Sequence, residues 1–282
     1  MESFNTAFTI GGVPLAWSAI LVALAVFTAF IVSAVLVRKR GAYKDLALDA
    51  CIVSIPCGLL GARLFSVLSC KIALSSFFSL STPGLNLPGA LVFITIGLLI
   101  YLRVRRLPVG ESFDVLLPGA FFGLAIGRWA DFFLCEGLGP VAGEGVPKFF
   151  PLVTFTAQYF EDGVSVAYAV FFLDFLVCLA LGIAALLLSR KWKPGKTALF
   201  TMTAYVFLAF ILEWLRDGST RSVVFGGIRF NQIVLFVMLL ALIGVTLYTD
   251  FRKPGEPADV PDEPASPETD EAENAQDTED HA

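Results

Sequence analysis

Seven stretches of strongly apolar sequence dominate this 282-residue chain. A helix that crosses the roughly 30 Å hydrocarbon core of a bilayer needs about 20 such residues, because it rises about 1.5 Å per residue. The predicted spans are residues 15–37, 46–68, 88–102, 113–134, 164–189, 197–215 and 230–249. The composition agrees, since 56% of the residues are hydrophobic and the mean hydropathy is +0.76. The pattern predicts an all-α polytopic integral membrane protein with seven transmembrane helices.

The basic residues predict how these helices are oriented. Thirteen of the 20 Lys and Arg residues follow the odd-numbered spans, five follow the even-numbered spans and two lie inside spans. Lys and Arg collect on the cytoplasmic side of bilayer proteins. The sequence therefore predicts an N-terminus outside and a C-terminus in the cytoplasm.

The last 29 residues differ from the rest of the chain. Residues 254–282 are rich in Pro, Ala, Asp and Glu, and they carry eleven carboxylates with no Lys or Arg. Such a composition cannot bury an apolar core, which predicts a disordered acidic cytoplasmic tail after a membrane domain at 1–253. The only histidine of the chain, His281, lies in this tail.

Charged residues recur at one depth in three of the predicted spans. Arg63 and Arg128 each lie 14 residues beyond an aspartate at the inner end of their span, roughly 21 Å along a helix. Glu213 lies 17 residues beyond Lys196, roughly 25 Å along its helix. Charges in hydrocarbon are costly and mark functional sites by default. The agreement in depth points to the outer half of the bilayer.

Further charges lie close to these three. Asp131 follows Arg128 by three residues and Arg216 follows Glu213 by three, so each pair shares a helix face. Asp174 lies in the middle of the predicted fifth span, where it either pairs with an arginine or belongs to a proton path. Two interpretations remain open for the whole set, namely a polar cavity that opens to the outer leaflet and separate structural ion pairs.

A cavity of this kind would suit the phosphate of an anionic membrane lipid. The planar guanidinium group donates two parallel hydrogen bonds to phosphate oxygens, and Arg63, Arg128 and Arg216 are the candidate donors. The carboxylates, with Glu136 at the outer mouth, would balance these charges or act as general bases. No histidine occurs before residue 281, so the sequence predicts no metal site. It also indicates no cofactor and no nucleic-acid partner.

Four segments, in order along residues 11–250, resemble motifs of the prolipoprotein diacylglyceryl transferases. The segment "GLAIGRWADFFLCEGLG" at 123–139 is similar to the family signature Gly-x-Gly-Arg-x-Gly-Asn-Phe-x-Asn-Gly-Glu. The other three are "GARLFSVL" at 61–68, "YVFLAFILEWLRDG" at 205–218 and "FNQIVLFVMLLALIGVTLY" at 230–248. Residues 123–139 match the family signature in the spacing from Arg128 to Glu136 and in the flanking glycines.

The resemblance implies a reaction and a location. The family transfers diacylglycerol from phosphatidylglycerol to the thiol of a lipobox cysteine in a prolipoprotein signal peptide, and it releases glycerol 1-phosphate. It implies a multi-pass protein of the bacterial plasma membrane. Carried over by position, Arg128 would bind the headgroup phosphate, and Glu136, Tyr205, Glu213 and Arg216 match motif positions.

The sequence departs from the family in four places, one of which is the His-Pro-x-Gln-Leu-Tyr-Glu motif, where residues 164–170 read "VSVAYAV" and only Tyr168 corresponds. The family's His-Gly-Gly motif is here Pro88-Gly89-Ala90, an arginine is Ala209 and the first asparagine of the signature is Asp131. A histidine base in the membrane body is therefore excluded. The role of the histidine base would therefore fall to Asp131, to Glu136 or to the substrate thiolate itself. The predicted catalytic residues are Glu136, Tyr205 and Asp131, and the predicted substrate-binding residues are Arg128, Arg63, Glu213 and Arg216.

Three functions remain open at the level of the sequence. The first is a divergent transferase that uses a carboxylate base or the thiolate itself. The second is a catalytically inactive or altered relative that binds anionic phospholipid or a lipobox peptide. The third is a small transporter that uses Arg128 and Asp174, which explains the charges but not the match to the motifs.

Overall fold

The structure, a computed structural model, describes residues 5–10, 13–69, 77–78, 85–134, 136–143, 145–147, 149–155, 166–216, 223–225 and 228–251. Within these ranges the chain forms seven long helices, each apolar and long enough to cross a membrane. They are α1 (Trp17–Arg40), α2 (Leu46–Leu68), α3 (Leu87–Val104), α4 (Val109–Phe133), α5 (Val170–Leu188), α6 (Lys196–Leu215) and α7 (Phe230–Phe251). The predicted fold class is confirmed, whereas the orientation of the termini stays a prediction.

Most of the predicted spans agree with the helices to within a few residues, but the start of the fifth is wrong. The chain at Val166–Tyr168 forms a β-strand, and α5 begins only at Val170. The apolar run "VSVAYAV" misleads because a short apolar strand and a buried helix segment have the same pattern. The start of α3 follows local rules, with Asn86 at the N-cap and Pro88 in the first turn.

Three short antiparallel hairpins, which the hydropathy pattern does not predict, accompany the helices. They consist of β1 (Thr6–Ile10) with β2 (Val13–Ala16), β3 (Val153–Phe155) with β4 (Val166–Tyr168), and β5 (Val223–Phe225) with β6 (Ile228–Arg229). They precede α1, α5 and α7. All three hairpins therefore belong to connections that the charge pattern assigns to the outer side.

Helix α4 is the centre of the bundle. It has the largest buried share of the seven helices and packs mainly against α1 and α5. A Cβ atom at Gly123 would lie 2.5 Å from the carbonyl oxygen of Ala25, so the α1–α4 contact requires glycine there. Many leucine, isoleucine and valine side chains on the outer helices are exposed, as expected for surfaces that face lipid.

A carboxylate at the predicted inner end fixes the start of α6. The Asp114 side chain, on α4, accepts hydrogen bonds from the backbone N–H groups of Gly195 at 2.6 Å and Ala198 at 2.7 Å. These bonds satisfy donors that the first helical turn leaves unpaired. They tie α6 to α4, and this pairing brings Tyr205 of α6 towards Arg128 of α4.

The chain divides into two compact units, Met1–Thr246 and Leu247–Ala282. Of the second unit, the structure describes residues 247–251, the last turn of α7. The acidic tail predicted at 254–282 lies outside the described residues. The predicted boundary at 253 therefore stays a prediction.

Candidate functional site

Ionisable and amide side chains gather at one end of the helix bundle. They lie near the C-terminal ends of α2, α4 and α6 and near the N-terminal ends of α3, α5 and α7. The set consists of Arg63, Asn86, Arg128, Asp131, Asp174, Glu213, Arg216, Arg229 and Asn231. This is the end that the positive-inside pattern assigns to the outer leaflet, and it carries the hairpins.

Arg128 connects α4 to α5 and α6 within this cluster. It is 5% exposed. Its Nη1 atom lies 3.1 Å from Oδ2 of Asp131 and 3.8 Å from Oδ2 of Asp174, and its Nη2 donates to the Tyr205 hydroxyl at 3.0 Å. The shared helix face predicted for Arg128 and Asp131 is confirmed, and the two side chains form an ion pair. Tyr205, which the motif resemblance indicated without a partner, is buried beside this guanidinium group.

Arg216 completes a second ion pair at the C-terminal end of α6. Its Nη1 lies 3.3 Å from Oε2 of Glu213, as the spacing predicts, and its Nη2 binds Oδ2 of Asp174. The same carboxylate oxygen of Asp174 thus faces the guanidinium groups of both Arg128 and Arg216. Asp174 pairs with arginines, which was one of its two predicted roles.

Glu213 is almost completely buried and forms polar contacts with several neighbouring side chains. Its Oε1 accepts a hydrogen bond of 3.4 Å from Nδ2 of Asn231. Nη1 of Arg229 donates to the carbonyl oxygens of Glu213 at 2.7 Å and Arg216 at 2.9 Å. Arg229 thereby caps the C-terminal end of α6, where carbonyl groups lack partners within the helix.

The network reaches α2 and α3 through Asn86. The Asn86 side chain donates to Oδ1 of Asn231 at 2.7 Å, and its backbone N–H donates to the carbonyl oxygen of Ala62 at 3.2 Å. Arg63, the residue after Ala62, is buried at the same end of the bundle. The predicted agreement in depth between the charged residues of α2, α4 and α6 therefore corresponds to one end of the folded protein.

Glu136 lies at the outer edge of the cluster, in the segment after α4. It is exposed, and its backbone N–H donates to the carbonyl oxygen of Asp131 at 2.8 Å. Gly137 follows with a φ of +68°, in the left-handed region that glycine adopts without strain. A Cβ atom on Gly137 would lie 3.3 Å from Oδ2 of Asp131, so this turn keeps the chain close to that carboxylate.

The Nε–H groups of Arg128 and Arg216 lack an acceptor among the described residues. Both nitrogen atoms are buried. A buried donor without an acceptor is costly, and native proteins rarely leave one unpaired. An oxyanion that bridges Nε and an Nη atom is the usual partner of such a group.

An aromatic wall adjoins the charged cluster. Trp129, next to Arg128 on α4, makes ring contacts with four phenylalanines, whose ring centroids lie 5.7–6.2 Å from its own. These are Phe150, Phe171, Phe172 and Phe175. The residue that follows Arg128 is thus the centre of an aromatic cluster on α4 and α5.

Comparison with known families agrees with this geometry. The model of the family described as prolipoprotein diacylglyceryl transferase matches residues 5–248. The chain belongs to this family. The prolipoprotein diacylglyceryl transferases are enzymes, and together with the seven apolar helices this membership identifies a multi-pass protein of the bacterial plasma membrane. The resemblance found in the sequence motifs is confirmed.

Individual transferases of the family are similar over most of their length. The phosphatidylglycerol–prolipoprotein diacylglyceryl transferase of Clostridium kluyveri is 29% identical over 251 residues, which cover 86% of this chain and 95% of that protein. The transferase of the same name from Clostridium botulinum is 27% identical, covering 81% and 90%. The one from Listeria monocytogenes is 26% identical, covering 86% and 88%.

The transferase motifs account for only part of the cluster. Asp174, Asn86 and Arg229 lie outside the motif segments, and Asp174 connects Arg128 to Arg216. The motif segments contribute Tyr205 and the other members, which are Arg63, Arg128, Asp131, Glu213, Arg216 and Asn231. Asp174 was noted but not included among the predicted site residues. Asn86 and Asn231 were missed, although an asparagine before Pro88 and a second asparagine at the start of the last span were visible signals.

Proposed function

We propose that this protein transfers the diacylglyceryl group of phosphatidylglycerol to the thiol of a lipobox cysteine in a prolipoprotein, at the outer face of the membrane. Its membership of the transferase family and the names of its relatives support this reaction. The observation that carries the proposal is the buried Arg128, held between Tyr205 and two aspartates with its Nε N–H unused among the described residues.

The headgroup phosphate would bind to Arg128 from the side of Asp131. The Asp131 side chain is 21% exposed, whereas that of Asp174 is 2% exposed, so Asp131 is the carboxylate that a phosphate can reach and displace. The guanidinium group stays charged throughout, since arginine does not lose its proton in proteins. Tyr205 and Asp174 would keep the guanidinium plane fixed while its outer partner changes.

The charge balance favours such an exchange. The cluster contains four arginines against three carboxylates, a net charge of +1 when all are ionised, and these are Arg63, Arg128, Arg216 and Arg229 against Asp131, Asp174 and Glu213. A phosphodiester adds one further negative charge. Release of Asp131 from Arg128 would leave its carboxylate free to accept a proton from the second substrate. Binding of the lipid therefore turns Asp131 into a proton acceptor.

The proton that Asp131 takes up would come from the substrate thiol. The cysteine sulfur attacks the glycerol carbon that carries the phosphate ester, so that a C–S bond forms and the C–O bond breaks. The electron pair leaves with the ester oxygen of glycerol 1-phosphate, which Arg128 stabilises, and the proton passes from Asp131 to this phosphate. Glu136, exposed at the edge of the site, is the second candidate for the base.

A direct assay tests the proposal. The purified protein is placed in nanodiscs that contain phosphatidylglycerol, and a synthetic signal peptide with a lipobox cysteine is added. We expect the peptide to gain the mass of one diacylglyceryl group and an equal amount of glycerol 1-phosphate to appear. In cells depleted of their own transferase, expression of the protein should restore lipidation of a lipobox substrate. Folded protein that leaves the peptide unmodified in both assays would refute the proposal.

A second function follows from one departure from the family. Pro88 lies in the first turn of α3, where the family motif has histidine, and no histidine precedes residue 281. A relative that binds anionic phospholipid or a lipobox peptide without transferring the lipid would fit this loss. The nanodisc assay separates the two functions, because a non-catalytic relative would retain the lipid and form no thioether.

A further inference from the structure

Two asparagines outside the motif arginines and carboxylates extend the cluster to α3 and α7. We propose that Asn86 and Asn231 are positioning residues, which orient Glu213 and, through it, Arg216 for binding of the lipid phosphate. The inference rests on the proposed function of the cluster as a phosphate subsite. It adds an amide relay, defined as Asn86 together with Asn231, to the residues that the site requires.

The orientation of the first amide is fixed by the start of α3. Oδ1 of Asn86 accepts a hydrogen bond of 3.2 Å from the backbone N–H of Gly89, as an N-cap residue does. The backbone N–H of Asn86 donates to the carbonyl oxygen of Ala62, and the residue is 2% exposed. With its oxygen engaged by the helix, the Asn86 side chain presents only its NH2 group to its neighbour.

The side chain that faces this NH2 group must therefore accept a hydrogen bond. This requirement sets the direction of the hydrogen bonds along the relay. Nδ2 of Asn86 donates to Oδ1 of Asn231 at 2.7 Å. A primary amide has one acceptor end and one donor end, so the NH2 group of Asn231 is turned towards Oε1 of Glu213, 3.4 Å away. The N-cap of α3 thus determines which face the Asn231 amide shows to the carboxylate.

Glu213 is buried, and the amide of Asn231 is one of the donors that its carboxylate meets. Its Oε2 faces Nη1 of Arg216 at 3.3 Å, and Oε1 faces the amide of Asn231. A buried carboxylate without hydrogen-bond donors is strongly disfavoured and turns towards any available partner. Loss of the amide would let Glu213 rotate and would shift Arg216, which also binds the Asp174 carboxylate that Arg128 approaches.

The relay acts through other residues and takes no part in the chemistry. Asparagine amides neither accept nor release protons near neutral pH, and the described contacts of both amides are with each other, with the backbone and with Glu213. Their expected effect is on the placement of Arg216. The inference therefore concerns affinity for the lipid more than the rate of thioether formation.

Two substitutions isolate the relay from the stability of the helices. Asn231→Ala removes the donor to Glu213, and Asn86→Ser keeps an N-cap oxygen for α3 but is too short to reach Asn231. Asn5→Ala is a matched control, since the Asn5 amide binds the backbone N–H and hydroxyl of Ser18 at the start of α1. The nanodisc assay measures kcat and the KM values for phosphatidylglycerol and the lipobox peptide separately.

We expect Asn231→Ala and Asn86→Ser each to raise the KM for phosphatidylglycerol about tenfold, the size typical of a lost hydrogen bond to a charged group. The KM for the peptide should stay within about twofold of the wild type. The double variant should be no worse than Asn231→Ala alone, because both changes break one relay. The Asn5→Ala variant should behave as the wild type does in lipid affinity.

Three results would overturn the inference. They are an unchanged KM for phosphatidylglycerol in Asn231→Ala, additive effects in the double variant, and a loss of thermal stability in Asn231→Ala that accounts for the whole loss of activity. If the wild type performs no transfer, the proposed reaction fails instead. The relay is then tested by equilibrium binding of phosphatidylglycerol in detergent, where equal affinity of the wild type and Asn231→Ala, or no binding to either, contradicts it.

Discussion

Arg128 on α4 and Tyr205 on α6 are joined by a buried hydrogen bond of 3.0 Å, although 77 positions separate them in the sequence. The bond runs from Nη2 of the guanidinium group to the phenolic oxygen. It holds the inner side of the guanidinium group against α6 and leaves Asp131 on its more exposed side. If Arg128 binds the headgroup phosphate as proposed, the phosphate would approach it from the more exposed side, next to Asp131.

Removal of the phenolic oxygen should therefore weaken both the fold and the site. In Tyr205→Phe, Nη2 of Arg128 loses a buried acceptor, and we expect a loss of about 1–3 kcal/mol in the free energy of unfolding. The lipid affinity should fall as well, because the guanidinium group gains rotational freedom. Thermal unfolding in detergent and the KM for phosphatidylglycerol measure these two effects.

The control for this variant is Tyr248→Phe, which changes an exposed tyrosine of α7. It should leave both quantities unchanged. Equal behaviour of Tyr205→Phe and Tyr248→Phe would mean that the buried hydrogen bond contributes nothing to the site.

Asp174 should be essential for stability because two arginines share its carboxylate. Asp174→Ala leaves Arg128 and Arg216 buried without this partner. Breaking a buried ion pair in this way typically costs about 3–5 kcal/mol. We expect a large fall in the midpoint of thermal unfolding and loss of activity.

The double variant Asp174→Leu with Arg216→Met tests the reason for that loss. Replacing both charges by apolar groups removes one of the two cations that lost Asp174, whereas Glu213 loses Arg216 and keeps the amide of Asn231, so part of the thermal stability should return while activity stays absent. A double variant that is as unstable as Asp174→Ala would show that the loss has another cause.

Asp131→Asn separates a catalytic base from a structural partner of Arg128. If Asp131 accepts the thiol proton, kcat should fall about 10²–10⁴-fold, the usual contribution of general acid–base catalysis. The affinity for phosphatidylglycerol should be kept or improved, since the carboxylate that competes for Arg128 is gone. Single-turnover measurements of thioether formation would give both values.

A different result for Asp131→Asn would assign Asp131 a structural role instead of a catalytic one. If Asp131→Asn lowers stability but leaves lipid binding and turnover intact, Asp131 is only the structural partner of Arg128. Glu136→Gln would then be the next variant to measure, because Glu136 is the other carboxylate that the sequence analysis names as a base.

Arg128→Ala should abolish transfer if Arg128 holds the headgroup phosphate. The matched control is Arg105→Ala, which removes an exposed arginine over the Tyr43 ring at the predicted inner side. Peptide modification in nanodiscs should be lost in the first variant and kept in the second. Retained turnover in Arg128→Ala would exclude it as the phosphate-binding residue.

Close packing of α2 on α3 gives a prediction about stability alone. A Cβ atom at Gly61 would lie 2.4 Å from the carbonyl oxygen of Gly89, so Gly61→Ala forces the helices apart. Overpacking of this kind typically costs about 1–3 kcal/mol. In Gly244→Ala the added Cβ meets nothing within 4 Å, and the helix should gain up to about 1 kcal/mol. Thermal unfolding of the two variants should therefore shift in opposite directions.

The sequence was sufficient for the helices because the bilayer imposes a simple rule. Each span needs a long apolar run, and six of the seven predicted spans agree closely with the helices. The fifth failed at its start, where tertiary pairing of Val166–Tyr168 with Val153–Phe155 overrides a continuous apolar pattern. That error also placed Asp174 in mid-span, although it lies only four residues beyond the start of α5.

The ion pairs formed within a single helix of the site were also predictable from the sequence. Arg128 with Asp131, and Glu213 with Arg216, are three residues apart on one helix, so helical geometry alone brings them together. Their common depth followed from counting residues along each span. The motif resemblance indicated Tyr205 but not its partner.

By itself, the sequence determined the seven helices, the family and the helix-local ion pairs, because these depend on hydropathy, motif order and spacing within one helix. Only the tertiary structure decided that Asp174 joins Arg128 to Arg216 and that Asn86 reaches Glu213 through Asn231. These contacts cross between helices, and they depend on the rotation and register of each helix against its neighbours. No periodicity within a single segment encodes that information.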